Sequence, residues 1–245
     1  MSNVRIHFLF LIALFAPCST SLRAQESVEE TVRYFDGLRD RRLFSLAESV
    51  CLRRLEDRSL SVTQRSRFTV ELSRTLAEHA RFVPGIDEQS DLLKRAQGVI
   101  TDLIQEHPSH PQALLLRSQL LIVGAGQVES YRWRFELTPN DDTLSKQAFA
   151  LGQELVPEFE KLEKDMGDEL RRPFRDTTGQ KLKPFHLRGL HRVVRFRMAN
   201  LLLNIAQVLG RESPDRAEAL VKAAQWFRKL SNGAPAASIT ARTQL

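Results

Sequence analysis

The sequence predicts an all-α protein without a β-sheet, and three observations carry that expectation. Apolar residues, mainly Leu, Ala and Phe, recur at three- and four-residue spacings over most of the chain after residue 25, the period of a helix with one buried side. Alternating β-branched runs, which half-buried strands need, are absent. Proline, glycine and short polar clusters fall between the periodic stretches, where helices must stop. The hydrophobic share is 42% and the charged share 27% of 245 residues, a globular balance that argues against wholesale disorder. Two cysteines exclude a disulfide scaffold.

The first segment, 1–24, has the layout of a secretory signal peptide. Arg5 precedes an unbroken apolar run from Phe8 to Ala16, and Leu22-Arg23-Ala24 offers a small residue for cleavage. The run is too short to cross about 30 Å of hydrocarbon. An uncleaved anchor is the other reading. Cys18 raises lipidation, but Pro17 stands where a lipobox needs a small residue. No later stretch is apolar enough to span a membrane, so the mature chain is expected to have no transmembrane span and to be exported, periplasmic or secreted.

Eight helices follow, over 27–39, 43–57, 61–82, 87–106, 111–134, 142–171, 184–209 and 213–231. Pro84-Gly85 separates the third from the fourth, and Pro108 and Pro111 bracket the next join. Gly124 and Gly126 weaken the fifth near its middle. Pro139-Asn140-Asp141-Asp142 supplies a turn and an N-cap for the sixth. Pro157 interrupts that helix's apolar stripe of Leu151, Leu155, Phe159, Leu162, Met166 and Leu170. Residues 173–183 read as a loop or linker. Ser213-Pro214 opens the last helix, and 232–245 read as a disordered tail.

A repeat is visible in part. Ala96, Ile100, Leu103, Ile104 and Pro108 place core residues and a stop after a small residue, and this resembles the second helix of a tetratricopeptide repeat. Ala47, Cys51 and Leu55, after Phe44, repeat the pattern, as do Ala217, Val221 and Ala224. The resemblance covers 43–57, 87–118 and 201–230. It implies a right-handed array of helical hairpins, a TPR-like α-solenoid, acting as a protein–protein interaction scaffold. The small residue lets two helices approach closely, and Cys51 in the next core position should be buried and inert. An irregular bundle with the same Ala and Leu spacing is the alternative. Residues 142–183 fit no such repeat frame. The organisation expected is therefore repeats over 25–140, a long acidic helix with linker over 141–183, and a terminal hairpin over 184–231.

Charge is concentrated. Losing Arg5 and Arg23 with the leader takes the formal net charge from +6 to +4. Residues 141–170 carry nine acids and three lysines, whereas 171–197 carry nine bases and one acid, Asp176. Either the basic block meets an acidic peptide or another polyanion, or the two helices lie side by side and neutralise each other. Arg188, Arg192 and Arg195 share one helical face, opposite Leu187, Leu190, Val194, Met198 and Leu201. Arginine suits bidentate capture of carboxylate or phosphate, so these three are the expected binding residues. Nucleic acid is not expected as a partner, given export and the expectation that Phe174, Phe185 and Phe196 are core.

Catalytic motifs are missing: there is no Gly-rich phosphate loop, no GxSxG, no HExxH and no CxxC. His107 and His110 with Glu106 lack diagnostic metal spacing. The expectation is a protein without cofactor or metal that binds a protein or peptide and is not an enzyme. An envelope hydrolase or a wall-polymer-binding protein on a helical scaffold is the competing reading. Finally, residues 213–231 carry two semi-apolar faces, Ala217/Leu220/Val221/Ala224/Phe227/Leu230 and Ala219/Ala223/Trp226. A solenoid end normally needs a polar cap, so either a homo-oligomer or missing further repeats is expected.

Overall fold

A computed structural model describes residues 28–138 and 141–231. The leader expected over 1–24, the Pro139-Asn140 part of the turn and the tail expected over 232–245 lie outside the described residues. Within them every regular element is helical: α1 (Val28–Asp40), α2 (Phe44–Glu56), α3 (Val62–Ala80), α4 (Ile86–Glu106), α5 (Ala113–Leu137), α6 (Asp142–Arg171), α7 (Pro184–Val208) and α8 (Pro214–Ser231).

Local chemistry accounts for the ends. Ser61 and Gln64 form a capping box at the start of α3, satisfying two backbone N–H groups that the first turn leaves unpaired. The Asp141 carboxylate accepts from Thr143 N at 3.0 Å and opens α6. Pro184 and Pro214 occupy first turns, where a missing N–H costs nothing. The end of α1 is less expected. Leu43 N donates to Leu38 O and Arg42 N to Arg39 O, the paired bonds of a Schellman motif. Its left-handed position, usually glycine, is Arg42 at φ 56°.

Consecutive helices pack against each other along the whole chain, and α1 also meets α3, α3 meets α5 and α5 meets α7. One core cluster joins α1 to α4 and takes Val123 from α5. A larger one joins α5 to α8 and takes Leu121, Ala125 and Val128 from the same helix. Thus α5 is the seam. Four helices cover α3, which explains why Ser66, Thr69, Glu71, Ser73 and Thr75 are buried on it.

The expected small and core positions on α2 and α4 are buried: Ala47, Cys51, Ala96 and Ile100 are each fully buried. The α6 stripe faces inward, with Phe159, Leu162 and Met166 inaccessible. Pro157 sits inside α6 without ending it. Pro157 and Gln153 are both exposed, so the carbonyl that the missing N–H would have paired lies on the wet side. The glycines of α5 and α6 prove to be contact points. A Cβ on Gly124 would lie 3.0 Å from Leu155 Cδ2, and one on Gly152 would lie 2.5 Å from Ile205 Cδ1.

Two expectations need correction. On α8 the close-packed small residues are Ala219 and Ala223, with Trp226, while Ala217, Val221 and Ala224 are exposed. With two semi-apolar faces available, the side that α7 offers decides which is buried. The phenylalanines expected in the core, Phe174, Phe185 and Phe196, are 50%, 76% and 48% exposed. Each lies in the loop before α7 or on the outward side of α7, beyond reach of the covering helices α5 and α6.

Candidate interaction surfaces

The acidic and basic helices do touch. Arg195 of α7 donates to Glu163 Oε1 of α6 from Nε at 2.8 Å and from a terminal nitrogen at 2.5 Å. His191 Nε2 lies 3.2 Å from the same oxygen. Burial works to raise the Glu163 carboxyl, but Arg195, with help from His191, outweighs it and holds the group below the ordinary carboxylate range. Burial and neighbouring Arg195 likewise push His191 below the ordinary imidazole value, against the pull of Glu163. On α5, Arg117 bridges Asp165 at 2.8 Å. At the end of α6, Asp168 holds Arg171 and Glu169 holds Arg172. Part of the charge contrast seen in the sequence is therefore neutralised within the molecule, since Arg171, Arg172 and Arg195 of the basic block each meet a carboxylate of α6.

Of the three expected binding arginines, Arg195 is held by Glu163, whereas Arg188 and Arg192 lie on the exposed side of α7. The segment before α7 is organised by Asp176. Its carboxylate accepts from the backbone N–H of Thr178, Gly179 and Lys181, and Gly179 takes a φ of 69°. Gln112 reaches the same loop through Gln180 O.

A second charged surface, which periodicity alone does not single out, spans α1, α3, α5 and α7. Arg39 is 4% exposed and donates to Asp36 at 2.5 Å and Glu71 at 2.8 Å, with Glu78 Oε2 3.5 Å from its Nε. Arg74 reaches Asp36 and Glu71 from the solvent side. Farther along, Arg197 is exposed, and its guanidinium is shifted downward first by desolvation and then by Arg81 and Arg74, while Glu129 and Glu78 oppose this.

Two features that suggest chemistry are resolved by their hydrogen bonds. Ser66 Oγ lies 2.9 Å from His110 Nε2, the spacing of a nucleophile–base pair. However, Gln112 N donates to His110 Nδ1, which places the ring proton on Nε2. That proton points at Ser66 Oγ, and the Ser66 hydroxyl donates to Val62 O at 2.8 Å. The imidazole cannot accept the serine proton in this wiring. Cys51 is buried and its thiol is pushed up to about 12, chiefly by desolvation, so little thiolate is present. Among the described residues no group of three or more His, Cys, Asp or Glu could hold a metal, and no helix is long and apolar enough to cross a membrane.

An open cleft of about 310 Å³ lies between the starts of α4 and α6 and the second half of α5. Its Gln127 donates to Tyr131 and its Ser130 to Gln89, so these polar groups satisfy one another. Compared with known proteins, the chain matches no family model, no curated protein and no solved structure.

Proposed function

We propose that the protein is an exported helical-repeat scaffold that holds a protein or peptide partner. The observation that supports this reading best is the contact pattern: each hairpin meets the next through its first helix, α1 to α3 to α5 to α7. Stacked in this way, four helices contribute to one continuous surface, the feature that makes repeat arrays binding scaffolds. The buried small residues on α2 and α4 support a tetratricopeptide-like spacing, and export rests on the leader-like sequence of 1–24.

The surface assigned to the first helices carries Arg74 and Glu78 on α3, Arg81 just after its end, Glu129 on α5 and Arg197 on α7. Both signs are present, which suits a segment of mixed charge. Acidic residues of the partner are assigned to Arg188 and Arg192, on an exposed side of α7 that faces away from Arg197, with Arg195 fixed by Glu163 as a structural residue. Capture from an envelope extract tests the reading, with partners identified by mass spectrometry and helical content checked by circular dichroism. Arg197→Glu is expected to lose a partner that the wild type retains, and Arg188→Glu with Arg192→Glu to weaken the same one. Identical partner sets for all three proteins would remove the proposed surface.

A further inference from the structure

The two ends of the loop between α6 and α7 repeat one short pattern. Arg172-Pro173-Phe174-Arg175 leaves α6, and Lys183-Pro184-Phe185-His186 enters α7. Each proline fixes the backbone just ahead of a phenylalanine that stands among basic neighbours. Both phenylalanines face solvent, Phe174 50% and Phe185 76% exposed. The loop does not lack access to the core, because its Leu182 packs on the C-terminal cluster. It is also held in shape. Asp176 accepts from the backbone N–H groups of Thr178, Gly179 and Lys181, and Gln112, just before α5, donates to Gln180 O. Helices α6 and α7 run antiparallel, since Gly152 lies against Ile205 and Glu163 against His191. The end of α6 and the start of α7 therefore share one end of the hairpin, and both phenylalanines are displayed there.

Charge at this end stays positive once its ion pairs are set aside. Asp168 takes Arg171, Glu169 takes Arg172 and Asp165 takes Arg117, while the Asp176 carboxylate is occupied by the loop's own N–H donors. Arg175, Lys181 and Lys183 are exposed, and no acid among the described residues pairs with them. The start of α7 adds to the same field, since its first turn holds no acid and no side chain caps it. We propose that this end of the α6–α7 hairpin docks on an anionic lipid bilayer. Phe174 and Phe185 enter the headgroup region, and Arg175, Lys181 and Lys183 face the lipid phosphates. Bases alone would suit any polyanion, but exposed phenylalanines set among them fit a surface that offers hydrocarbon beneath its charge. An acidic peptide would use the bases and leave the phenylalanines in water. No helix among the described residues is long and apolar enough to cross a membrane, so this attachment is peripheral. It goes beyond partner binding and uses none of the residues assigned to the partner, Arg188, Arg192 and Arg197.

Co-sedimentation with vesicles tests this. The full chain is used throughout, so anything the apolar run Phe8–Ala16 adds is common to every variant. Wild type should bind vesicles of phosphatidylcholine with about one third phosphatidylglycerol more tightly than vesicles of phosphatidylcholine alone. Arg175→Gln with Lys183→Gln should weaken that excess binding about thirtyfold. Phe174→Ser with Phe185→Ser should weaken it about tenfold or more. Both variants should keep the wild-type melting temperature, because all four residues are exposed. In Phe185→Trp, the added indole emission should shift to the blue on the anionic vesicles and be quenched by brominated acyl chains. Equal binding to the two kinds of vesicle, or an added indole emission that does not move, would overturn the proposal. So would vesicle binding that the Arg175/Lys183 variant loses and the Phe174/Phe185 variant keeps, which would make the occupant a polyanion such as an acidic peptide. The partner captured by the wild type should still be captured by both loop variants. Its loss with them would assign the loop to that partner instead, so the two readings fail separately.

Discussion

Arg39 sets the energetics of the first hairpins. Its side chain is 1% exposed and its principal partner, Glu71, 3%. Two charges so far from water are costly, and their mutual attraction compensates only while both are present. Arg39→Ala should therefore lower unfolding free energy by about 3–5 kcal/mol, leaving Glu71 buried without its strongest partner. Replacing both, Arg39→Met with Glu71→Leu, should recover most of that loss. A urea titration of the three proteins checks this, and a double variant as unstable as the single one would contradict the argument. None of this can be read from the sequence. Arg39 and Glu71 are 32 positions apart, and each sits in an ordinary charged pattern.

His110 and His191 give the fold a pH dependence of known sign. Both imidazoles are shifted below their ordinary value, each mainly by burial, with His107 adding to the first and Arg195 to the second. The unfolded chain then binds more protons than the native one below about pH 6.5. Stability is complete above that value and falls as pH drops through the window down to the lowered native values. The urea midpoint should be lower at pH 5.5 than at pH 7.5, and His110→Gln with His191→Gln should flatten the slope. An equal or higher midpoint at the lower pH would contradict the burial that lowers both imidazoles.

At the scale of elements, glycine separates two roles that look alike in the sequence. Gly126 and Gly152 both interrupt apolar helices, yet a Cβ on Gly126 meets nothing within 4 Å, whereas one on Gly152 would collide with Ile205 of α7. Gly126→Ala should stabilise by about 0.5–1 kcal/mol through backbone entropy. Gly152→Ala should destabilise by about 1–3 kcal/mol, because α6 and α7 must separate or Ile205 must leave its rotamer. Thermal melts of the two variants, moving in opposite directions, check both. The helices themselves were legible: periodicity and stop residues located all eight, because those signals act within a few residues. The end of α1 was harder, since the left-handed residue is Arg42 rather than the glycine that announces such a turn.

For the whole molecule, the seam at α5 matters most. Leu121, Ala125 and Val128 belong to the C-terminal core and Val123 to the N-terminal one, so the two halves share a wall. The same stacking that buries one hairpin under the next leaves the outer face of α8 uncovered among the described residues. The charged surface running over α1, α3, α5 and α7 also belongs here, because no single helix contains it.

By itself the sequence determined the helical class, the number and approximate limits of the helices among the described residues, and most inward faces, since these follow from spacing, caps and breakers that are local. It also located the acidic and basic blocks. Tertiary structure alone decided which charges are spent: Glu163 takes Arg195 and His191, while Arg188 stays outward. It decided which face of α8 is covered, because two apolar faces compete and, among the described residues, α7 packs against one of them. It also buried the polar side of α3, whose serines, threonines and glutamate look like a wet surface until four neighbouring helices close over them. Contact between residues far apart in the chain is the common cause, and no local pattern encodes it.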